Sequence, residues 1–338
     1  MNNERDGYQE NDKYIPKHAY NGEINNFDRD NTYDNNDCYK VKNDIVLDEN
    51  IYSDFDDNRD ENIKVKSVKK KRKLKRKVWT LLTIFFVIIL IVCIIKILLW
   101  MKDNKDTSNM TNEIINAVNI EEREDDDNTE LVNEDDDKKS DYWYYITFPL
   151  INVDFTELKE KNSDTVGWIN VNNTNINYPY VQTNNNSFYL DHSFDKSYNE
   201  AGWVFLDYRN NSNLDNKNTI LYAHSRLDKT MFGSLSKVLK SSWYNNKDNH
   251  IIRLSTEEEN TLWQIFSVYK IPEESYYITT GFNNDSDYEE FLNVIKKRSI
   301  HNFNTNLNIN DKILTLSTCY SDTERTVVHA KLIKKSNK

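Results

Sequence analysis

A chain of 338 residues with a formal net charge of -11 and only 6 Gly, 4 Pro and 3 Cys is neither collagen-like nor built on a disulfide framework. Its acidic balance argues against nucleic acid as the main partner. The charge is unevenly placed: residues 1–60 and 79–140 are acidic, 61–78 strongly basic and 141–338 close to neutral.

Residues 1–63 are rich in Asn, Asp, Glu and Tyr and lack apolar periodicity of 3.6 or 2 residues. Such a stretch cannot bury enough apolar surface to offset its chain entropy, which predicts a disordered acidic tail. Ten Lys and Arg residues between positions 64 and 77 then lead into an apolar run at 78–100. At 1.5 Å per residue that run spans about 34 Å, enough for a hydrocarbon core of about 30 Å. It predicts one transmembrane helix, with 64–77 as the basic juxtamembrane cluster that keeps the N-terminus cytoplasmic. The run is too long for a signal peptide and has no small-residue cleavage site, so it reads as a retained single-pass anchor in the cell membrane. Lys96 can snorkel to the outer interface, with Trp100 as an aromatic anchor.

Residues 101–140 contain EEREDDDNTELVNEDDD, with 11 acidic side chains and one Arg. Self-repulsion predicts an extended acidic extracellular spacer, and the stretch lacks EF-hand spacing. From 141 to 338 the composition is that of a globular domain long enough for one substantial core. An amphipathic start at 153–162 predicts a short helix capped by Asp154 or Thr156, with Phe155 and Leu158 inward. Eight apolar or alternating runs follow: WINV, INYPYV, GWVFLDY, NTILYAH, HIIRLS, LWQIFSVYKI, KILTLSTC and TVVHAKLI. Asn/Asp-rich turns separate them, and helical patches fall near 187–190, 231–239 and 288–297. The pattern predicts a mainly β fold, a mixed and mostly antiparallel barrel with helices at its edges.

Of the three cysteines, Cys38 lies in the tail and Cys93 in the span, leaving Cys319 outside. Strand alternation puts Ile313, Thr315, Ser317 and Cys319 on one face, and Cys319 ends the strand where a loop opens, a place where rigid scaffolds present reactive groups. A thiol nucleophile needs a base or a cation to supply its thiolate. His18 is on the wrong side of the membrane. His250 and His301 fall in Asn-rich links and read as solvated, His192 follows a helical patch as a structural or groove residue, and His329 reads as packed within a strand. His224 ends NTILYAH at the same strand-to-loop position as Cys319, which gives it a modest lead. Arg325 opens the last strand six residues after Cys319. It is either a surface ion pair with Glu324 or Asp322, or a cation that donates to a substrate carbonyl and its oxyanion.

TLSTC at 315–319, followed by the Arg that starts RTVVHAKLI, resembles the signature of sortases, membrane-anchored transpeptidases of Gram-positive bacteria. NVDFTELKEKNSDTVGWINVNNTNINYPYVQ, NNNSFYLDHSFD, AGWVFLDYRN and NTILYAHSRLDKTMFGSL resemble successive class B blocks, covering 152–333. The resemblance implies an eight-stranded sortase-type barrel with N-terminal and peripheral helices, and a catalytic trio of Cys319, His224 and Arg325. Cys319 would attack the carbonyl after Thr in an LPXTG- or NPQTN-like sorting signal to give a thioacyl enzyme. His224 would protonate the leaving amine and deprotonate the incoming one, and Arg325 would hold the carbonyl oxygen. By motif match Asn186, Leu190 and Ser317 line the sorting-signal groove. The implied partners are secreted proteins with a C-terminal sorting signal, a peptidoglycan precursor or cross-bridge amine, and the membrane; no cofactor or metal is implied. The chain departs from the family in having Ala223 and Ser225 beside the histidine, where Gly and Asn are usual, Tyr320 after the cysteine, and a long cytoplasmic tail. Two competing readings are a cysteine peptidase hydrolysing the same intermediate and a catalytically silent, membrane-tethered binding domain on a sortase scaffold.

Overall fold

The computed structural model of the chain describes residues 68–132, 141–319 and 324–338. The tail expected at 1–63, residues 64–67 of the basic cluster, 133–140 of the spacer and the loop 320–323 lie outside the described residues.

The first element, α1 (Val68–Ala117), is one helix of 50 residues. It contains no Pro or Gly, so nothing breaks it where the apolar run ends. Side chains from Val78 to Trp100 are exposed, and with a mean hydropathy of 3.3 in its most apolar window the helix is long and apolar enough to cross a membrane. Beyond Trp100 it turns one face onto the domain: Asn104, Thr107, Met110 and Ile114 recur at helical spacing, with Thr107 and Ile114 buried.

Residues 101–132 therefore do not form the extended spacer expected there. After α1, β1 (Ile120–Arg123) pairs antiparallel with β3 (Leu150–Val153), and β2 (Thr129–Leu131) adds to the C-terminal strand. Two of the acidic stretch's carboxylates find cations far away in sequence and a third finds one nearby. Lys334 Nζ bonds Asp125 at 2.7 Å, Lys335 meets Glu130 at 3.0 Å, and Arg123 holds Asp126 at 2.7 Å. Repulsion counted along the local sequence leaves those lysines out.

Short helices α2 (Tyr142–Tyr145) and α3 (Thr156–Lys161) precede the barrel. In α3, Asp154 Oδ1 accepts from the Thr156 backbone N–H at 2.9 Å and from its hydroxyl at 2.7 Å, while Phe155 and Leu158 are buried, as the amphipathic pattern predicts.

The barrel strands are β4 (Thr165–Val171), β5 (Asn177–Val181), β6 (Phe205–Leu206), β7 (Asn218–His224), β8 (Ile251–Ser255), β9 (Glu259–Ile271), β10 (Ile313–Cys319) and β11 (Arg325–Asn337). They hydrogen-bond in the order β10-β7-β6-β5-β4-β8-β9-β11, and β11 pairs back onto β10. Closure removes the free edges that an open sheet would leave. Each of the eight apolar runs overlaps one of these strands, but GWVFLDY contributes only two residues to the ladder. Gly202 sits at φ 59, and Asp207 turns the chain by accepting from the Arg209 backbone N–H at 2.9 Å.

The main core includes Trp168, Trp203, Trp263, Leu314, Leu316 and Val328. Outside the barrel, α4 (Ser241–Tyr244) follows a 3-10 helix at Phe232–Leu239. A second cluster lies under α5 (Asp285–Lys297), whose start is fixed by Asn284 Oδ1 accepting from the Asp287 N–H at 2.9 Å. Tyr288, Phe291, Leu292 and Ile295 of α5 share one helical face and pack with Phe266, Tyr269, Ile313 and Val327. Each such burial stabilises by about 1.5–3 kcal/mol relative to exposure.

His329 is packed, as expected: Nδ1 meets Thr315 Oγ1 at 2.9 Å and Nε2 meets the Tyr269 hydroxyl at 2.8 Å. Burial pushes its pKa down to about 3. His250 departs from the solvated reading. It is buried, donates from Nε2 to the Tyr244 carbonyl at 2.8 Å and accepts the Tyr145 hydroxyl on Nδ1 at 2.7 Å. Burial holds its pKa down at about 4. The surrounding asparagines suggested solvent, but Asn249 is itself buried and donates to the Trp243 carbonyl at 2.6 Å. His301 is half-buried and stacks on Tyr244 at 4.4 Å.

Candidate active site

Three adjacent strands set the geometry. β7 and β10 run parallel, paired from Asn218 opposite Ile313 to His224 opposite Cys319. Two strands that begin and end together bring their C-terminal residues to the same rim, with backbones about 4.8 Å apart. β10 and β11 are antiparallel, with Ser317 opposite Val327 and Thr318 Oγ1 accepting from the Thr326 N–H at 2.9 Å. Cys319 and Arg325 each lie two residues beyond that last pair, on the same end of the ladder. His224, Cys319 and Arg325 therefore occupy neighbouring positions on three consecutive strands, although 101 residues separate the first from the last.

The imidazole of His224 is half-buried, and Nε2 lies 2.7 Å from the Leu190 carbonyl oxygen. A carbonyl can only accept, so Nε2 is the donor in this contact and carries the proton in the neutral ring. Leu190 is fixed in turn: Gly202 packs tightly on the carbonyls of Tyr189 and Leu190, and the Trp203 N–H donates to the Tyr189 carbonyl at 2.9 Å. Ala223 is buried, and Ser225 forms an isolated bridge with Met231 that closes the loop after the histidine.

The Arg325 guanidinium pairs with neither Glu324 nor, among the described residues, any other neighbour in its own loop. Nη2 donates to Glu273 Oε2 at 2.7 Å, while Glu324 lies near Lys270 at 3.6 Å. Asp322 lies outside the described residues. Only 18% of the Arg325 side chain is exposed, against 80% for Glu273.

A cleft of about 270 Å³ runs beside these strand ends. It brings together Arg325 and the three residues expected in a binding groove, Asn186, Leu190 and Ser317, with Phe205, Tyr222, Tyr277 and Ile278 as apolar wall and Glu273 and Glu274 at one side. Asn186 Oδ1 accepts from the Tyr208 N–H at 2.9 Å, which leaves its amide nitrogen as the end suited to donate to a ligand. The Ser317 hydroxyl lies 3.0 Å from the Tyr277 hydroxyl. With Ser317 only 2% exposed, this pair ties the cleft wall to β10.

A buried ion pair braces the opposite wall. Asp207 accepts from Arg209 Nε at 2.9 Å and Nη2 at 2.6 Å, and from the Tyr222 hydroxyl at 3.0 Å. Arg209 also donates to the Ile278 carbonyl at 3.0 Å. Burial raises the Asp207 pKa, but the hydrogen bonds and charge of Arg209 outweigh it and hold the carboxyl below its ordinary value.

Glu273, Tyr277, Ile278 and the Asp207–Arg209 pair escaped the sequence reading. Residues 272–279 have neither helical nor strand period, and the one available signal was an aromatic-rich YYI in a polar link. Of the alternatives, His192 stacks on Phe188 at 4.1 Å and its Nδ1 lies 2.9 Å from the Phe188 carbonyl. It lies on the Leu190 side of the site without lining the cleft. Cysteine, histidine and arginine at the adjacent ends of β10, β7 and β11 are the residue types that nucleophilic acyl transfer requires.

A family model described as "Sortase domain" matches residues 169–333. Over 190 residues the chain is 40% identical to sortase B of Staphylococcus aureus (strain NCTC 8325 / PS 47), covering 55% of this chain and 77% of that protein. A crystal structure of sortase B complexed with triglycine superposes with a TM-score of 0.51 at 40% identity, over 53% of this chain and 85% of that one. A Staphylococcus aureus sortase B–substrate complex gives a TM-score of 0.51 at 40% identity, over 53% and 84%.

Proposed function

From the finding that this chain belongs to the sortase family, and to its class B, we propose that it cleaves an LPXTG- or NPQTN-like sorting signal after Thr and transfers the acyl group to a peptidoglycan amine. In the first step the Cys319 thiol gives its proton to His224, its sulfur attacks the Thr carbonyl carbon and the C–N bond breaks. The departing amine takes a proton from His224, leaving a thioacyl enzyme. In the second, His224 removes a proton from the incoming amine as its nitrogen attacks the thioester, and the sulfur departs, taking that proton from His224 to restore the Cys319 thiol. Through both, Arg325 donates to the carbonyl oxygen as negative charge develops on it. A guanidinium has five N–H donors, so Arg325 can do this while Glu273 holds its other side.

The observation that carries the reading is the shared position of His224, Cys319 and Arg325 on β7, β10 and β11 beside a cleft that contains Asn186, Leu190 and Ser317. The relatives' complexes support a peptide in that cleft and a glycine-type amine as acceptor. The basic residues ahead of the apolar stretch of α1 support a cytoplasmic N-terminus and an extracellular catalytic domain. The reaction draws on no cofactor.

The test uses the full chain in membranes, a quenched sorting peptide and a triglycine amine. The reading expects a peptide–amine conjugate that grows with amine concentration, and none from Cys319→Ala. Cleavage at a rate and with products indifferent to amine supports the hydrolase instead. Wild-type function unchanged by Cys319→Ala supports the silent scaffold.

A further inference from the structure

The helix that carries the apolar span does not end at the domain's edge. α1 continues unbroken to Ala117, and its inward face meets two loops. Asn104 lies four residues beyond Trp100, about 6 Å further along the axis, and its Oδ1 accepts from Arg226 Nη2. Thr107, one turn on, is fully buried and its Oγ1 accepts from Asn199 Nδ2 at 3.2 Å.

Both loops lead directly to the imidazole. Arg226 is two residues past His224, in the loop closed by the Ser225–Met231 bridge, and its side chain is only 10% exposed. Its backbone is pressed against Gly233, where a Cβ would collide with the Arg226 carbonyl oxygen. Asn199 is buried at the other loop. Its N–H donates to the Asp191 carbonyl at 2.9 Å, its Oδ1 accepts from the Ala201 N–H at 2.8 Å, and its carbonyl accepts from the Gly202 N–H at 2.9 Å. Gly202 in turn seats the Leu190 carbonyl, which accepts from His224 Nε2. One helical turn thus grips the chain on the C-terminal side of the histidine and the loop that supplies its hydrogen-bond acceptor.

We propose that Asn104 and Thr107 are positioning residues for His224, so that the first turns of α1 beyond the apolar span are a working part of the active site and not a passive tether. The inference rests on the reading of His224 as the proton-transfer group. Losing either grip lets the imidazole drift from its line with β10 and touches the cleft only at Leu190, while the larger part of its lining, on β10, β11 and residues 273–278, stays in place. The expected signature is a loss in kcat without a matching change in KM.

The test compares full-length Asn104→Leu, Thr107→Val and the double variant in nanodiscs, by peptide-cleavage kinetics and amide hydrogen exchange. The single variants are expected to lower kcat three- to tenfold and the double variant more than tenfold, with KM within twofold. Exchange at 189–203 and 225–233 should quicken about tenfold while β8 and β9 keep their protection. Asn104→Asp, which keeps an acceptor for Arg226, should stay within twofold of wild type. Wild-type kcat in the double variant overturns the proposal, as does faster exchange shared equally by β8 and β9, which marks general loosening. A wild type that cleaves no sorting peptide refutes the functional reading separately, and the exchange pattern then decides the clamp by itself.

Discussion

Gly202 is the position where one added methyl group tests the support of the histidine. Its φ is +59, a left-handed conformation that costs an L-residue about 1–2 kcal/mol. A Cβ there would lie 2.5 Å from the Tyr189 carbonyl oxygen and 2.7 Å from that of Leu190. Both are backbone atoms that no rotamer change moves aside. Restoring ordinary contact, which begins at 3.4 Å, displaces them by about 0.7–0.9 Å in a close-packed interior. The Leu190 oxygen also accepts from His224 Nε2 at 2.7 Å, so a displacement of that oxygen along the bond stretches it to about 3.4 Å, past the outer limit of a good N–H···O contact. Gly202→Ala is therefore expected to cost about 2–4 kcal/mol of stability from backbone conformation and overpacking together. A misplacement of this size should also lower kcat roughly tenfold. Urea unfolding followed by tryptophan fluorescence gives the first quantity, and turnover of the sorting peptide at a temperature where the variant remains folded gives the second. Stability within about 0.5 kcal/mol of wild type, the range of a neutral surface change, together with unchanged kcat would refute the reasoning.

Asp207→Asn leaves Arg209 without its buried counter-ion and should destabilise by about 2–3 kcal/mol, below the usual cost of breaking a buried pair because Arg209 is partly solvated; urea midpoints check this. Acidification should weaken the fold. His250 and His329 have folded pKa values pushed down to about 4 and about 3, so the unfolded chain binds protons first as pH falls below about 6.5, and their stabilisation drains away between there and the folded values. Asp207, whose carboxyl is held low, stabilises above its unfolded value of about 3.9 and loses that contribution as pH falls through its folded value. Urea midpoints at pH 7.5 and 5 should therefore differ in favour of pH 7.5, and the difference should shrink in His250→Asn. Because Glu273 is largely exposed, Glu273→Gln should change stability by less than about 1 kcal/mol and kcat/KM by less than tenfold. Arg325→Ala, which removes an oxyanion donor, should lower kcat/KM by about a hundredfold or more; equal effects of the two substitutions would count against Arg325 as that donor.

The parts of this fold that were legible are those where period and punctuation agree. A continuous apolar run in NTILYAH and alternation in LTLSTC, bounded by Asn and Asp, located β7 and β10 and put their last residues in equivalent places. Pairing was not readable from either run alone, because register depends on residues 95 positions apart. The inward face of α1 past Trp100 was hidden because Asn104 and Thr107 are polar and their partners, Arg226 and Asn199, lie about a hundred residues downstream. The acidic stretch misled for the same reason, its neutralising lysines being in β11. His250 was obscured by asparagines that bond to backbone inside the protein. Around the site, Arg325 was placed by its sequence distance from Cys319, but its actual partner Glu273 sits 52 residues away in a segment without periodicity.

The central claim is that Cys319 forms a covalent acyl bond with the Thr of a sorting signal. Its most direct test is intact-protein and peptide mass spectrometry of the full chain incubated with a library of sorting peptides and no amine acceptor. The account predicts a mass increase equal to the peptide up to and including Thr, carried by the tryptic fragment containing Cys319, discharged by added triglycine and absent in Cys319→Ala. No adduct across the library, or an adduct on any other residue, would contradict it.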